Sequence, residues 1–160
     1  MEDRGFKAAK FFLLKAALNR AYPDRPLLGV GAIILRDRRI LLVRRANPPL
    51  QGEWSIPGGL VETGETTKEA IIREVREEAS LEVEPGRLVE VFERILRDKE
   101  SRVQYHFILI DYLCRIISGE AKAGSDVTEL RWAKCEELES LAVSPETCAV
   151  IRKAMVDDKQ

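Results

Sequence analysis

Three carboxylates, Glu74, Glu77 and Glu78, fall at i, i+3 and i+4 within a segment free of Pro and Gly. On a helix that spacing stacks them on one sector of the surface, one turn above another. Like charges so placed repel unless a cation lies between them. Oxygen donors of this kind suit Mg²⁺ or Mn²⁺, which keep waters and substrate phosphates in their remaining positions, so the cluster would be a metal site with room for chemistry. Ile71, Val75 and Ala79 mark the buried side of the same helix, and Glu78 falls angularly between Ile71 and Val75. It should therefore be partly desolvated and need a partner. The spacing alone also fits a solvated acidic face laced with Arg73 and Arg76.

The elements that would position these groups can be read outward from the helix. Thr66-Thr67-Lys68-Glu69 has the form of a capping box, which predicts a helix from about Thr67 to Ala79. Upstream, Trp54-Ser55-Ile56-Pro57 reads as a short extended piece, Gly58-Gly59 as a bend, and Ala46 to Glu53, with Pro48, Pro49 and Gly52, as loop. Leu27 to Leu35 and Ile40 to Val43 read as strands joined by the charged turn Arg36-Asp37-Arg38-Arg39. Downstream, Leu88 to Leu96 and Val103 to Ile117 form a long hairpin around Asp98-Lys99-Glu100-Ser101. Ser118 to Glu129 is a polar loop, Leu130 to Ala133 a short strand, and Ser144-Pro145 opens a last helix. Phe6 to Leu18, stopped by Pro23 and Pro26, reads as a helix. Residues 1–26 are thus a helical extension that covers the domain or packs on a second subunit, and residues 27–160 form the domain itself.

The segment Gly59 to Leu81 resembles the Nudix box: Gly, five residues, Glu65, seven residues, then Arg73-Glu74, an apolar residue, any residue, Glu77-Glu78, any residue, Gly and an apolar residue. The lead-in Trp54-Ser55-Ile56-Pro57-Gly58-Gly59 is similar to that family as well, and the resemblance extends over roughly Leu27 to Ile151. The one departure is Ser80 where the family has Gly, at a helix end expected to be left-handed. The resemblance implies an α/β (α+β) fold, an α/β/α sandwich around a mixed sheet, and hydrolysis of a nucleoside diphosphate linked to another group. It implies that Glu74, Glu77 and Glu78 hold Mg²⁺ or Mn²⁺ and that the Gly58 and Gly59 backbone completes the metal shell, with Gly59 also facing substrate. Arg73 would orient the carboxylates through its planar fork, and Glu65 would brace the loop against the helix. A further acid from the loop after the hairpin would serve as ligand or general base: Glu120 first, then Glu129 and Asp126.

Other residues admit two readings. Arg44 and Arg45 could meet phosphate oxygens or be solvated. Trp54, Tyr105 and Phe107 could stack on a base or belong to the core. His106, the only histidine, is read as structural. No Pro lies between Gly86 and Ser144, where members resembling ADP-ribose pyrophosphatases often carry one, and Leu41-Leu42-Val43-Arg44-Arg45-Ala46 lacks the Arg that completes the coenzyme A subgroup's signature. The expected substrates are ADP-ribose or nucleotide sugars, with (d)NTPs as the alternative. A catalytically inactive nucleotide-sensing module is the other class, and it would be expected to have lost box carboxylates that this chain retains.

Composition bounds the rest. The 160 residues, 45% hydrophobic and 33% charged, suffice for one core. With 26 Lys+Arg against 27 Asp+Glu there is no global positive field for a nucleic-acid polymer or an acidic membrane, which leaves a small-molecule nucleotide as the expected partner. Cys114, Cys135 and Cys148 are odd in number and widely spaced, which fits neither a disulfide framework nor zinc half-sites. The apolar run Phe11 to Leu14 lies between Lys10 and Lys15, too short for a signal or spanning segment, and the expected compartment is cytoplasmic. A homodimer through the N-terminal helix or the long hairpin is left open.

Overall fold

Asp37 and Arg38, at φ 50° and 60°, turn β1 (Leu27–Arg36) back into β2 (Arg39–Arg45). The computed structural model describes residues 20–124 and 126–157. The two strands pair only beside their turn, at Leu35–Ile40 and Arg36–Arg39, and then part. β1 goes on between β4 (Gly58–Leu60), antiparallel, and β6 (Val103–Gly119), parallel. β2 runs between β3 (Trp54–Ser55) and β7 (Val127–Ala133), both antiparallel. β5 (Leu81–Arg97) pairs with β6 as the edge strand of a seven-stranded mixed sheet.

Both central strands are apolar on successive residues, Val30 with Ala32 to Ile34 and Ile40 to Val43, which requires cover on both faces. Helix α1 (Thr67–Ala79) supplies one layer, with Ala70, Ile71, Val75 and Ala79 against Val30, Ala32, Ile34 and Leu41. Helix α2 (Pro145–Asp157) supplies the other, with Val150, Ile151 and Ala154 against Ile33, Ile40 and Leu42. The sandwich of helices around a mixed sheet is therefore present. Ser144 caps α2 as its position before Pro145 suggests, its hydroxyl accepting from the Thr147 N–H at 3.2 Å.

Several boundaries differ from the sequence reading, β2 for one running from Arg39 to Arg45. Gly58 and Gly59 lie in a strand rather than a bend, because β1 needs a partner on that side. β5 starts at Leu81, not Leu88; its irregularities around Pro85 to Leu88 are absorbed at a sheet edge, where a residue without N–H is tolerated. β6 runs on to Gly119 and β7 begins at Val127, since each follows a partner already extended that far. The helix expected over Phe6 to Leu18 lies outside the described residues, so the extension at 1–26 is seen only from Arg20 onward. There the Tyr22 N–H donates to the Gln104 carbonyl at 2.7 Å and its hydroxyl to Asp98 at 2.9 Å, which ties the incoming chain to the hairpin end. Among the described residues no helix is long and apolar enough to cross a membrane.

Candidate active site

The helix that carries the carboxylates is fixed at both ends by its own sequence. At its start the Glu69 N–H donates to the Thr66 hydroxyl at 3.2 Å and the Thr66 N–H to the Glu69 carboxylate at 2.7 Å, the reciprocal capping box. At its end Ser80 takes the left-handed conformation, φ 56° and ψ 28°, with its N–H on the Arg76 carbonyl at 3.1 Å. These two constraints set the phase in which α1 presents Arg73, Glu74, Glu77 and Glu78.

Arg73 is the hub. Its Nη2 donates to Glu65 Oε1 at 2.6 Å and to the Leu60 carbonyl at 3.0 Å, and its Nε to Glu65 Oε2 at 3.1 Å. Its Nη1 reaches Glu74 Oε1 at 2.7 Å and Glu77 Oε2 at 3.5 Å. The guanidinium thus straps the loop before α1 to two of its carboxylates, the planar fork meeting Glu65 at both oxygens. Hydrogen bonds from Arg73 hold the Glu65 carboxyl below its usual range, and Glu65 in turn raises the Arg73 guanidinium. Glu65 also accepts the Glu62 N–H at 2.7 Å, which fixes the turn between them.

Glu74 and Glu78 are in a different state. Burial raises Glu74, with Arg73 working against it and the Glu77 charge adding to it. Burial pushes Glu78 up to about 8; the Gly58 N–H, donating to its Oε2 at 2.9 Å, and the Arg45 charge lower it, while Glu74 and Asp126 raise it further. Two glycines make this proximity possible. A Cβ on Gly59 would lie 2.3 Å from a Glu74 carboxylate oxygen, and one on Gly58 would lie 2.0 Å from the Val30 carbonyl oxygen. The loop before β7 closes the helix end: Lys122 N–H donates to the Ala79 carbonyl and Gly124 N–H to the Glu78 carbonyl, each at 3.0 Å. A Cβ on Gly124 would lie 1.7 Å from the Glu77 carbonyl oxygen, so only glycine fits there.

On the other side of Gly58 and Gly59 is a cavity of about 110 Å³. Trp54, Arg45 and Phe107 from the sequence reading line it, together with Arg94, Leu109 and Glu53, which that reading passed over. Arg94 Nη2 stands 3.8 Å from a Glu53 oxygen. Gly29 lines the cavity as well, and a Cβ there would lie 2.8 Å from a Leu109 methyl. Nothing local in the sequence marks Arg94 or Leu109; the register that sets Arg94 opposite Phe107 and Leu109 opposite Gly29 brings them in.

The remaining candidates separate. Arg44 braces a loop, donating to Glu129 at 2.8 Å and to the Gly52 carbonyl at 3.0 Å, while the Arg45 Nε donates to the Pro49 carbonyl at 3.2 Å. Of the three outside acids, Asp126 acts on Glu78 through its charge, Glu129 is engaged by Arg44, and Glu120 is exposed. Tyr105 stacks on Phe107 with ring centres 6.0 Å apart, and His106 keeps a buried Nε2 with no hydrogen-bond partner among the described residues. The sequence reading missed Asp111, a buried acid on β6 whose carboxylate lies over Gly31.

A family model described as the NUDIX domain matches residues 25–153. The chain belongs to the NUDIX family. As a NUDIX hydrolase it is 38% identical over 121 residues to the ADP-ribose pyrophosphatase of Methanocaldococcus jannaschii, a span covering 76% of this chain and 69% of that protein. The crystal structure of a MutT NUDIX hydrolase from Burkholderia pseudomallei superposes with a TM-score of 0.71 at 29% identity, covering 81% of this chain and 98% of that one. An ADP-ribose pyrophosphatase from Streptococcus suis superposes at 0.61 and 28% identity, covering 82% and 92%.

The residues of this NUDIX site fit a hard divalent cation by donor chemistry. Glu74, Glu77 and Glu78 offer only oxygens, and two of the three are raised by burial, a penalty that an added positive charge would relieve. Among the described residues no three Asp, Glu, Cys or His side chains already close on a cation position. Arg73 occupies the gap between Glu74 and Glu77.

Proposed function

We propose that this NUDIX hydrolase cleaves the diphosphate of a nucleoside diphosphate linked to another group, with ADP-ribose or a nucleotide sugar as substrate and a nucleoside monophosphate as product. The observation that carries this reading is that the carboxylate face of α1 and the Trp54–Phe107 cavity meet at Gly58 and Gly59, two residues without side chains. A diphosphate laid across that pair would have its charged centre beside the carboxylates and one of its groups in the cavity. The likeness to ADP-ribose pyrophosphatases from two organisms supports the choice of substrate.

Glu74, Glu77 and Glu78, with the Gly58 carbonyl, would hold Mg²⁺ or Mn²⁺. Bound there, the cation would neutralise diphosphate charge and acidify an attacking water. Arg73 keeps Glu74 and Glu77 turned toward the site, and Glu65 anchors Arg73. Arg45 lines the cavity beside Gly58 and can meet a phosphate oxygen with its fork. Trp54 and Phe107 offer faces on which a planar base can stack. For the acid that takes the water's proton, Asp126 is favoured over Glu120 because its charge already acts on Glu78.

The test is release of nucleoside monophosphate from ADP-ribose, nucleotide sugars, dinucleoside polyphosphates and each (d)NTP, with and without Mg²⁺ or Mn²⁺. Metal-dependent turnover on ADP-ribose or a nucleotide sugar is expected, and Glu77→Gln should abolish it while the circular dichroism of the fold is retained. Preference for a (d)NTP would overturn the substrate, full activity of Glu77→Gln would overturn the site, and a folded, metal-loaded chain inert on the whole panel would favour a binding module.

A further inference from the structure

One wall of the cavity beside Gly58 and Gly59 comes from ahead of the NUDIX domain. Arg20 lines it, although the family match begins only at residue 25 and the sequence reading gave residues 1–26 no part in the site. The chain is pinned just after Arg20. Tyr22, at φ 53°, donates its N–H to the Gln104 carbonyl at 2.7 Å and its hydroxyl to Asp98 at 2.9 Å. The Arg102 guanidinium lies 5.2 Å from the centre of the Tyr22 ring. Arg20 is thus two residues from a fixed point on the hairpin, which limits where its side chain can go.

Among the described residues three arginines line this cavity, Arg20, Arg45 and Arg94, against the single acid Glu53. Two of them already have a partner: Arg45 Nε donates to the Pro49 carbonyl at 3.2 Å, and Arg94 faces Glu53 at 3.8 Å. Arg20 is half-buried, and among the described residues no hydrogen bond or ion pair holds its guanidinium. A partly desolvated cation without a partner is costly, so an anion that reached it would be bound. The position of Arg20 says which anion. Its charge favours the ionised form of Glu74, and that of Arg45 favours the ionised form of Glu78. Glu74 does not satisfy it, being taken by Arg73 at 2.7 Å. Glu74 lies against Gly59, and Glu78 accepts the Gly58 N–H at 2.9 Å. The two arginines therefore stand by the two halves of one seam, each near a buried carboxylate and each on the cavity wall.

We infer that Arg20 binds a phosphate of the substrate and forms with Arg45 a two-armed clamp across the diphosphate, so that the segment ahead of the domain completes the active site. The inference rests on the hydrolytic reading of the Gly58–Gly59 seam. A guanidinium fork matches the two non-bridging oxygens of one phosphate, which an apolar cavity wall cannot hold. The clamp reads the diphosphate and leaves the base to Trp54 and Phe107.

The test is a backbone amide NMR titration of the full chain in EDTA with ADP-ribose, ADP and adenosine, read at residues 54–60, alongside steady-state kinetics in Mg²⁺. Arg20→Ala should weaken ADP-ribose and ADP by about tenfold and leave adenosine unchanged, because only the first two carry phosphate. In turnover the same variant should raise KM about tenfold with kcat nearly unchanged. Arg20→Lys, which keeps the charge and loses the fork, should fall between the two. Unchanged binding of ADP-ribose by Arg20→Ala, or an equal weakening of adenosine, would overturn the clamp. A loss of kcat larger than the rise in KM would assign Arg20 to the carboxylates rather than to substrate and would overturn it as well. Binding without turnover by the unaltered chain would overturn the hydrolytic reading alone, since the titration in EDTA still decides the role of Arg20.

Discussion

The two sides of Gly58 and Gly59 are built on opposite plans. The carboxylate side is largely one run of chain, Gly59 to Ala79, in which most of the groups that face the site are fixed by a neighbour within a few turns, Thr66 to Glu69, Glu65 to Arg73, Arg73 to Glu74 and Glu77, while Glu78 takes its partner from Gly58. The cavity side is gathered from Gly29, Trp54, Arg94, Phe107 and Leu109, which are spread over the four strands β1, β3, β5 and β6 and meet through sheet register. The first plan makes a charge arrangement stiff and local. The second leaves a wall that can change residue by residue without disturbing the helix, so the chemistry can stay fixed while the substrate varies.

The largest separation of the two sides should come from Arg73→Ala. It removes the strap on Glu65, Glu74 and Glu77 and leaves buried carboxylates without their cation, so kcat is expected to fall about 10- to 100-fold, the usual effect of losing an orienting partner of metal ligands. KM for ADP-ribose should change much less. Steady-state kinetics decide it, and a KM rise that exceeds the kcat loss would place Arg73 on the cavity side. Arg73→Lys should not restore kcat, since an ammonium cannot span Glu65 in two-point fashion.

The mirror experiment is Arg94→Ala, on the opposite wall. It is expected to raise KM about tenfold with kcat nearly unchanged, the pattern for an interaction made equally in ground and transition states. A matching loss of kcat would mean that the two sides are not separable at Gly58 and Gly59.

Asp111 tests where the boundary runs, because Gly31 pairs with it on one side and with Gly58 on the other. Burial pushes its carboxyl up to about 7 from an ordinary 3.8, and the Glu90 charge adds to that; Glu90 itself is held by Lys153 at 2.8 Å. The folded state therefore keeps a proton that the unfolded state gives up. The contribution of this group to folding stability is expected to fall as pH rises from about 4 to about 7, by at most ~1.4 kcal/mol per pH unit, and to level off above, while Glu78, raised to about 8, adds a fall of the same sign that continues to about pH 8. Asp111→Asn should flatten that slope in denaturant titrations at pH 5 and 7.5, and an unchanged slope would assign the pH dependence elsewhere.

The same contrast decides what the sequence could convey. The capping box, the phase of Glu78 between Ile71 and Val75, and the left-handed Ser80 are all set by helical periodicity over a few residues, and all three are found as expected. Glu53 and Arg94 meet across 41 residues of chain only because β5 pairs with β6 and β6 with β1, and single-strand patterns do not carry that register. Gly124 is intermediate. It is visible as a glycine in a polar loop, but the reason for it, a carbonyl of α1 where a Cβ would be, is tertiary. Asp111 was hidden because a strand residue's depth depends on what covers both faces.

Ser80 is the smallest and cleanest probe of the local plan. At φ 56° its Cβ carries a strain of about 1 kcal/mol that glycine would not, partly offset because glycine also frees the unfolded chain. Ser80→Gly is therefore expected to raise the unfolding free energy by roughly 0.5 kcal/mol in urea titrations with kcat unchanged. The helix end is held independently, by the Ser80 N–H on Arg76 and by Lys122 and Gly124 on the last two residues, so relieving the strain has no route to Glu78. If kcat instead rises with stability, the strained cap is displacing the carboxylates, and the carboxylate side is less rigid than its hydrogen bonds imply.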